Sequence, residues 1–295
     1  MNNKERGFLL LTGHLGSLER KPLTVAQFRE LANRVTQMDR PVHTRELTEG
    51  DLLHLGYDRP MASRILTLLA DDDGLDRYLL KGCQQDCVPI TRVSEAYPLT
   101  VRKRLGLDAP GCLWAKGNLN LLNTQTVALV GSRELQASNR KFAEIAGREV
   151  AQQGYTLVSG NARGADQTAQ NACLEAGGKV ISIVADEVQK HPLKENVLYL
   201  SEDSFDLPFS ATRALSRNRV IHTLGYITLV AQCDLGTGGT WDGTLKNLQK
   251  GWSPVFCFND GSSATAELAQ YGANLIDFNQ LSCLAELQPD TKSFL

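Results

Sequence analysis

The usual nucleotide fingerprints are missing from this sequence: it has no Gly-x-Gly-x-x-Gly after a strand and no Gly-x4-Gly-Lys-Ser/Thr. It also lacks a basic excess. Its 31 Lys and Arg stand against 33 Asp and Glu, a formal net charge of -2. A protein that coats nucleic acid over its whole surface is strongly basic, so any nucleic-acid site here has to be a local patch. No apolar run reaches membrane length. Phe8 to Leu11 is too short for a span or a signal peptide, and the preceding Lys4-Glu5-Arg6 is mixed in sign. A cytoplasmic location without a membrane partner is expected. The seven cysteines are odd in number and scattered, which argues against a disulfide scaffold. Cys83 and Cys87 have no second Cys or His pair close in sequence, so free thiols are expected and no metal. His14, His43, His54, His191 and His222 show no evident Ser, Cys or Asp partner. No catalytic residue and no cofactor is assigned.

What is present divides the chain in two. Residues 1–85 read as a small all-helical (SAM/helix-hairpin-like) domain. Thr24 to Gln27 forms a capping box ahead of Phe28, Leu31 and Val35, Thr48 to Asp51 opens a second helix, and Ile65 to Leu69 makes a third apolar face. Asp71-Asp72-Asp73-Gly74 reads as a solvated break, and the Leu55-Gly56-Tyr57 turn suggests a packing module more than a DNA-reading one. Residues 86–295 read as α/β. Val88 to Val93 is a short edge strand that tolerates Pro89. From Thr126 apolar strands alternate with helical patterns: Val127 to Val130, Thr156 to Val158, Val180 to Val184, Tyr226 to Val230 and Pro254 to Phe258. Continuous apolar runs of this kind belong to strands buried on both faces, which predicts an extended Rossmann-like parallel sheet with helices on both sides.

Ligands of such sheets bind at the carboxyl ends of the strands. Gly131-Ser132-Arg133 follows the first strand of the alternation, where a turn into a helix offers free N–H groups and a fork-shaped cation to an anion. Ser159-Gly160-Asn161-Ala162-Arg163-Gly164-Ala165-Asp166 follows the second. Its glycines allow close backbone approach, and Asp166 is open to two roles, loop binding or helix capping. Arg213 and Arg217-Asn218-Arg219 gather cations ahead of an apolar element. Gly238-Gly239-Thr240 lies in a Gly- and Thr-rich loop able to form an anion-binding nest, and the adjacent Trp241 is open to stacking on a base or packing on a helix. The candidate phosphate-binding set is therefore Gly131, Ser132, Arg133, Ser159, Gly160, Ala162, Arg163, Gly164, Asp166, Arg217, Asn218, Arg219, Gly238, Gly239 and Thr240.

In this order the motifs resemble those of the DprA/Smf family of bacterial DNA-processing proteins. The resemblance is carried by Val130 to Arg133, Ser159 to Asp166, Arg217 to Ile221, Gly238 to Thr240 and Gly272 to Ile276, with Leu113 to Leu119 as a weaker lead-in. It implies an extended Rossmann fold, a basic pocket for single-stranded DNA, a homodimer, and loading of a RecA-type recombinase in DNA uptake or recombination. By position it carries Gly131, Ser132, Arg133, Ser159, Gly160, Arg163, Arg217, Asn218 and Arg219 into the pocket. The chain departs from the family pattern at Gln170, where a His is common, and in its Gly-Thr-Gly-Gly-Thr-Trp loop. It ends soon after the sheet, with no counterpart of the C-terminal winged helix of many members. A second reading of the same loops is a nucleotide-binding sensor, or an enzyme like the phosphoribohydrolases that release a base from a nucleoside monophosphate, with Asp242 as the nearest acid.

Overall fold

The computed structural model describes residues 1–17, 19–38 and 46–287; His43 lies outside them. Five helices come first: α1 (Asn3–Thr12), α2 (Val25–Thr36), α3 (Glu49–His54), α4 (Arg59–Leu69) and α5 (Asp72–Cys83). Thr24 and Gln27 close the expected capping box on α2, and Thr48 and Asp51 close one on α3. The expected solvated break at Asp71 to Gly74 is instead a helix start. Asp71 caps α5 through the amide of Gly74, and Asp72 and Asp73 form its first turn, where carboxylates favour the helix dipole.

Nine strands follow: β1 (Cys87–Thr91), β2 (Cys112–Gly117), β3 (Thr126–Val130), β4 (Thr156–Ser159), β5 (Lys179–Ile183), β6 (Val197–Glu202), β7 (Ile227–Val230), β8 (Val255–Phe258) and β9 (Asn274–Ile276). They form one sheet in the order β1-β2-β6-β5-β4-β3-β7-β8-β9. The seven strands from β6 to β9 run parallel, while β2 is antiparallel to both β1 and β6. The sheet is therefore parallel except at one edge. β1 lies at that edge, where the missing N–H of Pro89 is harmless.

Helix α6 (Leu99–Leu105) links β1 to β2, and α7 (Ala137–Gln152), α8 (Ala165–Glu175), α9 (Ala211–Leu224), α10 (Gly238–Lys250) and α11 (Ser263–Gln270) follow β3, β4, β6, β7 and β8. One face of the sheet buries Phe142, Ala146 and Val150 of α7; the other buries Val220 and Ile221 of α9 and Trp241 of α10. Trp241 thus packs in the core, which removes it as a base-stacking surface. The first cluster continues through Trp114 and Phe205 to Tyr78 and Leu75 of α5 and Leu9 and Leu10 of α1. A separate cluster, with Leu31, Leu52 and Ile65, holds α1 to α4 together. Each such side chain contributes about 1.5–3 kcal/mol by leaving water. Among the described residues no helix is long and apolar enough to cross a membrane.

Candidate nucleic-acid interface

The strand order reverses between β3 and β7. The chain moves from β3 toward β4 on one side and from β7 toward β8 on the other. Right-handed crossovers in opposite directions put α7 and α10 on opposite faces of the sheet, so a crevice opens between their N-termini at the carboxyl ends of β3 and β7. β4 is the next strand along. The three candidate loops therefore lie side by side.

Hydrogen bonds fix them to one another. The Ser132 amide donates to the Gln232 carbonyl (2.9 Å), and the Gln232 side chain accepts from the Gln136 amide (2.9 Å) and donates to the Glu134 carbonyl (3.1 Å). The Ser132 hydroxyl donates to Asp234 at 3.3 Å. On the other side the Ala165 amide donates to the Ser132 carbonyl (3.1 Å). Gly164 takes φ +89° and presses on the carbonyls of Ser132 and Arg133, so a side chain there would both strain the backbone and collide. Gly131 is as closely confined: a Cβ would stand 2.5 Å from that of Ala165.

Two helix ends at the crevice are bare. Neither Gln136 before α7 nor Thr237 before α10 caps its helix with a side chain. Among the described residues, the amides of Ala137, Ser138 and Asn139 and those of Gly238, Gly239 and Thr240 have no acceptor. Such N–H groups, with the positive pole of the helix behind them, favour an anion. The third loop differs. At the start of α8 the amides of Ala165 and Gln167 are engaged by the carbonyls of Ser132 and Ala162. The Ala162 amide in turn donates to the Asp166 carboxylate (3.2 Å).

Arg217, Asn218 and Arg219 sit within α9, where successive residues turn by about 100°, and they diverge. Arg217 is buried beneath the β4 loop. Its guanidinium lies where a Cβ on Gly160 would be, 3.7 Å from Asp166, and its Nε and Nη1 have no partner. Burial pushes the Asp166 carboxyl up from its ordinary value, opposed by Arg217, and presses Arg217 down, opposed by Asp166. The hydroxyl of Ser159 is also buried without a partner. Asn218 donates to the Gly239 carbonyl (2.9 Å) and ties α9 to the start of α10. Arg219 turns away to Glu202 (2.8 Å) and the Asp108 carbonyl (3.1 Å). Arg213 is a staple, donating to the carbonyls of Ala185, Leu207 and Pro208.

The exposed cations at the crevice mouth are Arg133 and Arg163, the latter 3.2 Å from Glu134 in a solvated pair. His222 is fully buried under α10, beside Asn247 (3.2 Å), and burial drives it down to about 3, so it is neutral near pH 7. Gln170 is buried, with its amide 3.4 Å from the Ser182 hydroxyl. Asp242 is exposed at the start of the second turn of α10. Gln232 and Asp234 belong to none of the sequence motifs. Their signal was their place directly behind β7, where polar side chains end an apolar strand.

This geometry matches known proteins. The profile of a family described as DNA recombination-mediator protein A covers residues 89–286. The DNA processing protein DprA of Streptococcus pneumoniae is 31% identical over 266 residues, covering 83% of this chain and 88% of that protein. The X-ray structure of DprA from the same species superposes with a TM-score of 0.74 at 25% identity, covering 98% of this chain and 100% of that one. Protein Smf of Escherichia coli is 30% identical over 142 residues, 44% of this chain but only 38% of Smf. A Helicobacter pylori DNA processing protein A, solved to describe its single-stranded DNA binding mode, shares the fold with a TM-score of 0.57 at 24% identity, covering 68% of this chain and 96% of that one. The nine-stranded sheet, the order of its loop motifs and the profile spanning two thirds of the chain agree: this chain belongs to the DNA recombination-mediator protein A family.

Proposed function

We propose that the chain binds single-stranded DNA by its phosphates in the crevice between α7 and α10, and that it is a binding protein and not an enzyme. The observation that carries this is the pair of bare helix N-termini facing one another across β3 and β7, with Arg133 and Arg163 beside them. Amides and arginines recognise the backbone whatever the base, and a single strand offers the repeated phosphates to fill such a site. The H. pylori protein of the same fold is described as binding single-stranded DNA. In this reading Gly131, Ser132, Gly160, Ala162, Gly164, Gly238, Gly239 and Thr240 shape the cradle. Arg217 and Asp166 hold the β4 loop from below, with Ser159 beneath it, and Asn218 sets α10. Arg219 acts from the rim through Glu202. The bound strand is handed to a RecA-type recombinase in DNA uptake or recombination, the protein working in the cytoplasm as a homodimer, with residues 1–85 as an accessory domain.

Fluorescence polarisation with oligo-dT tests the crevice. Affinity is expected to fall with salt at a log-log slope of about -0.7 per phosphate held, and Arg133→Ala to weaken binding about tenfold or more. No binding at low salt, or equal binding by the variant, would overturn the reading. Base release from nucleoside monophosphates, abolished by Asp242→Asn, would replace it with the hydrolase reading.

A further inference from the structure

A second cleft, of about 1110 Å³, lies away from the crevice, between the turn after α1, the outer side of α4, and α5. Residues 1–85 as a whole are balanced, with twelve Lys and Arg against twelve Asp and Glu. The cleft wall is not: Arg20, Lys21, Arg64, Arg77 and Lys81 line it against Glu19 and Asp71. Two of these cations are neutralised locally. Arg20 is held by Asp71, and Lys81 by Asp206 at 2.6 Å. The other three are not. Arg64 donates only to the carbonyls of Lys21 (2.9 Å) and Pro22 (2.7 Å), which orients its guanidinium without cancelling its charge. Lys21 and Arg77 are exposed and have no carboxylate within ion-pair distance among the described residues. A neutral region that collects uncancelled cations in one cleft is arranged for an anion.

The cleft also lies on the same edge of the sheet as the crevice. At its floor Tyr78 and Lys81 reach Asp206 (2.9 and 2.6 Å), just past the carboxyl end of β6. β6 is parallel to β3 and separated from it by β5 and β4. Three strand spacings are about 14 Å, a distance that a few nucleotides of one strand bridge.

We propose that this cleft is a second phosphodiester site, taking the continuation of the single strand held in the crevice; the proposal rests on the crevice reading. Lys21 and Arg77 supply the ionic contacts, and Arg64 fixes the turn that carries Lys21.

Two oligo-dT lengths separate the two sites: one of about 6 nucleotides that fills the crevice and one of about 20 that reaches the cleft. In the full chain, the double variant Lys21→Ala/Arg77→Ala is expected to bind the short oligomer like the unaltered protein. It should bind the long one about tenfold more weakly at low salt, with a salt slope shallower by about 1.4, two contacts at 0.7 each. Lys21→Arg/Arg77→Lys should keep affinity and slope, which excludes misfolding as the cause. Unchanged long-oligomer binding in the alanine variant, with Arg133→Ala still losing it, would overturn the cleft and leave the crevice standing. Failure of the unaltered protein to bind the short oligomer would remove the crevice. A dTMP site lost in the alanine variant, with long-oligomer binding intact, would make the cleft a nucleotide site and overturn the proposal.

Discussion

The helix starts of the N-terminal region and those at the β3–β7 crevice are built on opposite terms. Asn2, Thr24, Thr48, Asp58 and Asp71 each accept an amide of the helix they open, so among the described residues each of α1 to α5 is capped by a side chain. α7 and α10 have no such cap, although α9 and α11 on the same sheet are capped by Ser210 and Ser262. A cap is worth about 1 kcal/mol. It is absent at both helices that start where the sheet changes direction; Pro98 before α6 and Gly164 before α8 give no side-chain cap either, but at α8 the carbonyls of Ser132 and Ala162 take the amides instead. In the N-terminal region side chains fill the first turns; at α7 and α10 the first-turn amides stay open, which is what the proposed phosphate site requires.

The largest test of this contrast is the strut beneath the open edge. Removing one member of a buried ion pair leaves its partner charged and unsatisfied, which costs about 3–5 kcal/mol. Arg217→Met should lower the urea-unfolding free energy by that amount, with loss of oligo-dT binding as the β4 loop loses its support. Asp166→Asn added to it should restore most of the stability, since a neutral pair makes no such demand. A lone Arg217→Met with an unchanged urea midpoint would show that the loop is held by other contacts.

His222 gives the next effect. Its folded value is depressed to about 3 from 6.5, so its contribution to stability is present above pH 6.5 and is lost as pH falls through the window toward 3. Its share of the loss at pH 4.5 is on the order of 2–3 kcal/mol. Asp166, Glu202 and Asp203 have raised values and act in the opposite sense as pH falls. The clean measurement is therefore a difference. The penalty of His222→Gln, read by urea midpoints, should be smaller by 2–3 kcal/mol at pH 4.5 than at pH 7. An equal penalty would mean that burial leaves the imidazole unshifted, and a larger one at pH 4.5 that the folded imidazole holds its proton near neutral pH. The field at α10 would then include His222, and would not come from amides and Arg133 alone.

Legibility in the sequence followed burial and locality. β3, β4, β5, β7 and β8 are apolar runs covered on both faces, and they stood out. β2 and β6 did not. Both are buried, but β2 carries Lys116, whose ammonium reaches the Gln189 carbonyl (2.9 Å), and β6 ends on Ser201, bonded by Arg213, and Glu202, one of whose carboxylate oxygens is bonded by Ser216 and Arg219 from α9. Buried polar groups whose partners are remote in sequence read as loop. α9 was hidden for the same reason, since its three arginines interrupt the apolar pattern and each finds a partner elsewhere in the chain. In the candidate site the glycines were legible because Gly is a local backbone signal. The directions of Arg217, Asn218 and Arg219 were not, because a three-residue run does not reveal that it lies in a helix. The bare amides had no sequence signature beyond the lack of Asp or Ser ahead of α7 and α10.

That lack gives the smallest and most discriminating test. Thr237 already has the extended backbone of a cap (φ -147°, ψ 153°), yet its side chain bonds to no amide. Thr237→Asp places a carboxylate where it can accept from the first turn of α10. It should raise the stability by about 0.5–1 kcal/mol, since a cap and a favourable dipole contact are gained together. The same carboxylate would occupy the amides and repel phosphate, so oligo-dT binding should weaken about tenfold, or roughly 1.4 kcal/mol. Thr24→Ala at the start of α2 is the comparator: it should lose about 1 kcal/mol of stability with binding untouched. At a helix end that only folds, stability moves alone; at a helix end that receives the ligand, stability and affinity should move in opposite directions. Thr237→Asp that gains stability and keeps its affinity would show that the α10 amides do not hold the strand, leaving α7 and Arg133 to carry the binding.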